Sequence, residues 1–210
     1  MKYHFSLLAL IFFSSKTIKQ STDNWIPLFD GKSLSGWTVG NNATSIRVDS
    51  GMIIVNGPVA HLFYSGDVKK HDFKNFEFKT QVMTTPGSNS GIYFHTQYQE
   101  KGWPSKGYEV QVNNSHTDWR RTGSLYAIQD VRETHVKDNE WYTESIRVEG
   151  KKVIIKLNDK TVVEYIQPDS VSRPQNMPGR FLSSGTFALQ AHDPKSRVYF
   201  KNIMVRALPD

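Results

Sequence analysis

The sequence predicts an all-β protein, a two-sheet antiparallel sandwich of jelly-roll type, and three observations carry that expectation. From Trp25 onward the chain runs in short stretches of β-branched and aromatic residues cut by Gly, Asn, Asp and Pro, the pattern of many short strands. Helical periodicity is almost absent, so no amphipathic helix is available to cover a sheet. The 210 residues, at about 150 per domain, make one domain. About a dozen strands in one such domain is the density of a sandwich or jelly roll.

In chain order the expected strands are Ile46–Asp49, Met52–Val55, Ala60–Tyr64, Phe76–Val82, Gly91–Gln97, Tyr108–Asn113, Ser124–Gln129, Trp141–Glu149, Val153–Leu157, Thr161–Tyr165, Thr186–His192 and Arg197–Val205. Asp49-Ser50-Gly51, Glu149-Gly150-Lys151 and Asn158-Asp159 hold residues that tolerate positive φ, so three pairs of these strands close as hairpins. Within Phe76–Val82, Phe76, Phe78 and Val82 face one way and Glu77, Lys79 and Gln81 the other, which makes that strand half buried. Three segments without clear alternation, residues 99–107, 114–122 and 167–184, read as long surface loops of the kind that carry binding groups.

Composition removes whole classes. Hydrophobic residues at 38% and charged residues at 22% exclude collagen-like, highly charged disordered and multi-span membrane chains. The lack of any Cys excludes disulfide scaffolds, thiol nucleophiles and cysteine-ligated zinc together. A net charge of +6 would suggest an anionic partner if it were clustered on the fold. However, residues 1–20 contribute Lys2, Lys16 and Lys19 and no acid, leaving 23 Lys+Arg against 20 Asp+Glu, or +3, on residues 21–210. No nucleic-acid partner is expected. The apolar run Phe5–Phe13, behind Lys2 and His4 and ending in Ser14-Ser15, reads as a secretory signal peptide and short leader over residues 1–20. It is too short for a span of about 20 residues, and no second apolar run follows to hold the chain in a bilayer. The expectation is an exported protein, periplasmic or secreted, with residues 21–210 as its single domain.

Three strands differ from an ordinary solvated sheet in their polar residues. One parity of residues 93–97 presents Tyr93, His95 and Gln97; one parity of residues 108–113 presents Glu109, Gln111 and Asn113; the strand ending at His192 presents Gln190 and His192 opposite Phe187 and Leu189. Fixed donors and acceptors beside aromatic rings are what a sugar requires, and two His with one Glu offer proton transfer near neutral pH. Glu109 is the most informative residue. It lies in an otherwise interior strand, where a carboxylate must be paired, hydrogen-bonded or protonated. His61, His71, His116 and His135 lie in or beside loops and read as surface residues. His95, Glu109 and His192 form the set that would ligate a divalent metal, at a spacing with no local metal signature. Glu109-x-Gln111-x-Asn113 supplies one acid and two amides, whereas glycoside hydrolysis ordinarily takes two carboxylates. A conventional glycosidase would therefore need Asp118, Asp130 or Asp193 from a loop. A lectin-like carbohydrate-binding module remains the non-catalytic alternative.

Six blocks in register give the chain a resemblance: Trp25–Trp37 (WIPLFDGKSLSGW), Asn89–Phe94 (NSGIYF), Gly107–Val112 (GYEVQV), Thr122–Tyr126 (TGSLY), Glu140-Trp141, and Leu189–His192 (LQAH) followed by Val198–Ile203 (VYFKNI). Over roughly residues 25–208 the sequence resembles the 3-keto-disaccharide hydrolase domain family. It departs from the family in having His95 where Arg is common, and Ala191 and Asp193 around His192 where an acid and Gly are common. The resemblance implies a concanavalin A-like jelly roll acting on glycosides oxidised to a ketone at C3, by C2 proton abstraction, loss of the C1 substituent and hydration. The outcome is net hydrolysis, or lyase chemistry if the reaction stops at the unsaturated ketone. On that reading Glu109 and His192 share the acid and base roles. His95, Gln111, Tyr126, Gln190 and Tyr93 hold sugar or enolate oxygens, Arg120 or Arg121 assists from its loop, and Trp103 shapes the aglycone side. No cofactor is evident, although a divalent metal polarising the ketone would use the same residues. No Gly-rich dinucleotide motif follows any strand, so the ketone is expected from a partner sugar 3-oxidoreductase.

Overall fold

A computed structural model describes residue 1 and residues 24–209, so the expected signal peptide otherwise lies outside the described residues. Thirteen strands follow in order: β1 (Ile26–Pro27), β2 (Trp37–Val39), β3 (Ile46–Asp49), β4 (Met52–Val55), β5 (Ala60–Tyr64), β6 (Phe76–Thr84), β7 (Ser90–Thr96), β8 (Tyr108–Val112), β9 (Tyr142–Glu149), β10 (Lys152–Leu157), β11 (Lys160–Ile166), β12 (Thr186–Ala191) and β13 (Val198–Ala207). They form two antiparallel sheets. One has the order β11-β10-β9-β6-β13-β4-β3, with β1 added beside β13; the other is β2-β5-β12-β7-β8. This is the two-sheet jelly-roll sandwich of concanavalin A-like lectins and glucanases.

Local sequence explains the hairpins. Ser50, Gly150 and Asn158 all take positive φ, and β3–β4, β9–β10 and β10–β11 pair across these turns. Between the sheets the core is largely aromatic, with the Phe187 ring 4.7–4.9 Å from those of Phe73, Phe76 and Phe78. Such pairs add about 0.5–1.5 kcal/mol each beyond area burial.

The outer faces of the sheets differ. On β6 of the larger sheet buried and half-buried residues alternate, and Glu77 pairs there with Arg147 and Arg206. In β5, β7, β8 and β12 every residue is buried, because loops cover the outward side as well.

One expected strand is not a strand. Residues 124–129 fold back on themselves: Leu125 and Gln129 exchange backbone hydrogen bonds, Ala127 takes φ +59°, and Ser124 Oγ binds the Arg121 carbonyl and the Val131 amide. Side-chain to backbone bonds of this kind compete with a ladder. Conversely, β1 and β2 were absent from the sequence expectation, since two or three residues are too few to show alternation.

Candidate active site

The outward face of the smaller sheet carries Glu109 and Gln111 from β8, Gly91 and Tyr93 from β7, and Ala188 and Gln190 from β12, with Asn113 and His192 just beyond the ends of β8 and β12. The opposite parity, Tyr108, Val110, Val112, Ile92, Phe94, Phe187 and Leu189, enters the inter-sheet core. Pairing of Tyr93 with Glu109 and of Gln190 with His61 fixes these side chains in rows across the sheet. A cleft of about 470 Å³ opens above them, lined by Asn89, Tyr93, Glu109, Gln111, Gln190 and His192 from below. Trp103, Tyr126, Met177 and Arg180 line it from three loops.

Glu109 is 5% exposed and receives Gln190 Nε2 on Oε1 and Arg180 Nη2 on Oε2, each at 3.2 Å. Burial raises its pKa above the ordinary carboxylate range, against the opposing charge of Arg180 and the hydrogen bonds of Tyr93 and Gln190. Gly91 makes room for it, since a Cβ there would lie 2.5 Å from Glu109 Oε1. Tyr126 is brought alongside by its backbone N–H, which donates to the Glu109 carbonyl at 2.9 Å.

His192 is held from one side by Asp193 Oδ2, 2.8 Å from Nδ1. Partial burial of Asp193 acts upward, but hydrogen bonds from Ser196 Oγ, His192 and the Lys195 and Ser196 amides bring its pKa down to about 2. Asn89 donates Nδ2 toward His192 Nε2 at 3.4 Å while its Oδ1 accepts from Gln111 Nε2 at 2.9 Å. This network assigns the ring proton to Nδ1, so Nε2 is the acceptor of the long Asn89 contact at the wall of the cleft. The Trp103 ring lies 5.5 Å from that imidazole.

Several expected site residues are elsewhere. His95 is turned away from the cleft: the β12–β7 register slips between Thr186 and Ala188, and His95 takes φ +55°. Its ring packs on Phe76 and Phe94, with Nε2 donating to the Lys74 carbonyl and Nδ1 accepting the Ser183 amide. Burial lowers its pKa to about 4. The His95–Glu109–His192 metal set is therefore not assembled, and among the described residues no three His, Asp or Glu gather as a metal site. Arg121 binds the Asn113 side chain and the His116 and Asp118 carbonyls, stapling its loop. Arg120 pairs with Asp118 and Asp130 and lies over the Tyr126 ring, 4.7 Å from its centroid.

Two histidines expected at the surface lie at the site. His61 is 3% exposed on β5, packed on Tyr93 and Trp103, and burial, with the charge of His192, lowers its pKa to about 4. His116 approaches Asn89 Nδ2 and the His192 ring.

The cation beside Glu109 is Arg180, from the proline-bearing loop. Gly179 lets that loop cross close to the Ser105 carbonyl, where any side chain would collide with it, and accepts the Gly107 amide at 3.0 Å. Arg180 is 6% exposed, and its Nη1 has no hydrogen-bond partner. A buried donor left unpaired above a cleft is a ready contact for a ligand oxygen.

Residues 24–206 match the model of the 3-keto-alpha-glucoside-1,2-lyase-like domain, nearly the whole described chain. The chain belongs to this family. A 3-keto-disaccharide hydrolase of Bacteroides thetaiotaomicron is 27% identical over 89% of this chain and 79% of its own length. Among solved structures, a protein of Parabacteroides distasonis named among the glycosyl hydrolases superposes with TM-score 0.74 and 22% identity, over 88% of this chain and 94% of that one. The carbohydrate-binding module CBM66 of Bacillus subtilis shares the fold at TM-score 0.58 and 15% identity, covering 82% and 96% of the two chains. For this family member, the matched region spans every residue that lines the cleft.

Proposed function

We propose that the protein cleaves glycosides already oxidised to a ketone at C3 of the sugar, by elimination and hydration. The observation carrying this reading is the inventory of the cleft: one buried, partnered carboxylate at Glu109 and an Asp193–His192 dyad. The other cleft carboxylate, Asp118, is turned to Arg120. A C3 ketone acidifies the C2 proton, so one base suffices where an ordinary glycoside needs a nucleophilic carboxylate.

The environments divide the roles. Asp193 stabilises the imidazolium that forms if His192 Nε2 takes the C2 proton. Burial favours protonated Glu109, which gives its proton to the departing C1 oxygen. As the C1–O bond breaks, the C2–H electron pair becomes the C1=C2 bond of an unsaturated ketone. Arg180 Nη1, with the second N–H of the Gln111 amide, stabilises the charge developing on the C3 oxygen, while Gln190 spends its N–H groups on Tyr93 and Glu109. Water then adds at C1, its proton going to Glu109, and the imidazolium, whose proton exchanges with solvent while the aglycone leaves and water enters, returns a proton to C2. The sum is one water consumed and one glycosidic bond cleaved; release before hydration would make the outcome a lyase. Asn89 and Gln111 fix the base, and Trp103 and Met177 wall the aglycone side. The apolar leader supports export to the periplasm or medium, and the substrate's ketone calls for a separate sugar 3-oxidoreductase.

The test is to incubate residues 21–210 with a 3-keto-glucoside and with its unoxidised parent, following aglycone release and enone absorbance. Release from the keto compound alone is the expected result. Turnover of the parent alone would mean a conventional glycosidase, and binding of either without turnover a carbohydrate-binding module.

A further inference from the structure

A second cavity, of about 540 Å³, opens on the outward face of the same sheet, at the opposite end of β12. Its lining includes Phe63, Lys70, Asp72, Thr96, Tyr98 and Thr186. Gln190 marks the Glu109 cleft and Thr186 this cavity, four residues apart, or about 13 Å at roughly 3.3 Å per residue. Between them lies a continuous buried apolar strip, Tyr93, Ala188 and Phe63, whose ends belong to the two cavities.

Three features give the cavity the chemistry of a sugar site. Tyr98 is 52% exposed and stands edge-on to the buried Phe63 ring at 5.5 Å, leaving ring surface open to stack on sugar C–H groups. Thr96 is 1% exposed, and its hydroxyl has no hydrogen-bond partner although it belongs to the lining. A buried unpaired hydroxyl of this kind is satisfied by a ligand that brings its own donor or acceptor. Lys70 and Asp72 place opposite charges on one wall, which suits a neutral polyol better than an ion of either sign. The wall is also a strained turn, since Lys69, Lys70 and His71 take φ +52°, +53° and +49° in succession. Such conformations persist where surrounding structure holds side chains to a task.

We infer that this cavity is a distal subsite that binds a further neutral sugar unit of the same glycoside, with Tyr98 as its stacking platform and the Thr96 hydroxyl as its buried contact. The inference rests on the glycoside reading above and makes the favoured substrate an oligosaccharide, longer than a disaccharide.

Binding of unoxidised sugars tests it independently of turnover. Calorimetric titration of the wild type with linear α-1,4- and β-1,4-gluco-tetraoses and the matching disaccharides should show one tetraose binding about 10-fold more tightly than its disaccharide. Tyr98→Ala should shrink that preference to within about twofold. Thr96→Val, which keeps shape and fold, should reduce it in the same direction. Equal affinity for tetraose and disaccharide in the wild type, absence of binding by both tetraoses, or a preference untouched by both variants would overturn the subsite. None of these results would touch the keto-glycoside assay, whose failure would in turn leave a measured tetraose preference standing.

Discussion

Glu109 and Glu144 are both buried glutamates, one on the edge strand β8 of the smaller sheet and one on the inner strand β9 of the larger, yet they occupy opposite sides of the alternation and have opposite surroundings. Glu109, outward on β8, has Arg180 and Gln190 within hydrogen-bond reach and lines the cleft. Glu144, inward on β9 between Tyr142 and Ile146, is fully buried in the core and has no hydrogen-bond partner for either oxygen. Burial raises the pKa of both, but at Glu109 Arg180, Tyr93 and Gln190 act against it, whereas at Glu144 nothing does. The contrast separates two uses of one side chain. A carboxyl poised between protonation states needs partners for its charged form, and one without them is a neutral acid that costs stability.

Glu109→Gln breaks the comparison on the functional side and carries the largest expected effect. It keeps the shape and the acceptor for Arg180 while removing the proton, so kcat on a 3-keto-glucoside should fall about 10³-fold. Steady-state assay of the folded variant checks this. Arg180→Met leaves Glu109 without its cation and the C3 oxygen without its donor; a fall of about 10² in kcat/KM is expected, together with a lower Tm. Asp193→Asn should lower kcat by about 10-fold without loss of binding, because His192 keeps a hydrogen bond but its cation loses the compensating charge.

Glu144→Met works in the other direction. Replacing an unpartnered buried carboxyl with an apolar side chain of similar shape should raise stability by about 1–3 kcal/mol in denaturant unfolding, with turnover unchanged. The pH dependence follows from linkage. Below about 4.5 both folded and unfolded chains hold the Glu144 proton. Above that value the unfolded chain releases it first, so this residue's contribution to stability falls as pH rises toward the buried group's own pKa. Wild type and Glu144→Met should therefore converge in Tm as pH drops toward 4.5 and diverge as it rises.

Much of the site was legible because alternation alone separates the faces of β8 and β12. Once Tyr108, Val110 and Val112 face inward, Glu109 and Gln111 must share the outer row with Tyr93 and Gln190. Alternation fails where the backbone interrupts it. His95 has the right parity but sits at a register slip with positive φ, which no residue in Tyr93–Gln97 announces. His61 was read as exposed because loop packing on the outside of a sheet leaves no local pattern. Arg180 was hidden for the same reason. It lies in a loop with neither period, and only the glycine crossing at Gly179, a tertiary contact, carries it over Glu109. The segment 124–129 shows the converse: its apolar and aromatic run has the composition of a strand, while Ser124 and Asp130 fasten it as a turn.

The central claim is that the C2 proton leaves during cleavage, and running the reaction in D2O tests it most directly. After a single turnover with a 3-keto-glucoside, corrected against an enzyme-free control, the released sugar should carry solvent deuterium at C2, or be recovered as the unsaturated ketone. Release of the aglycone with the original hydrogen still at C2 would contradict the account.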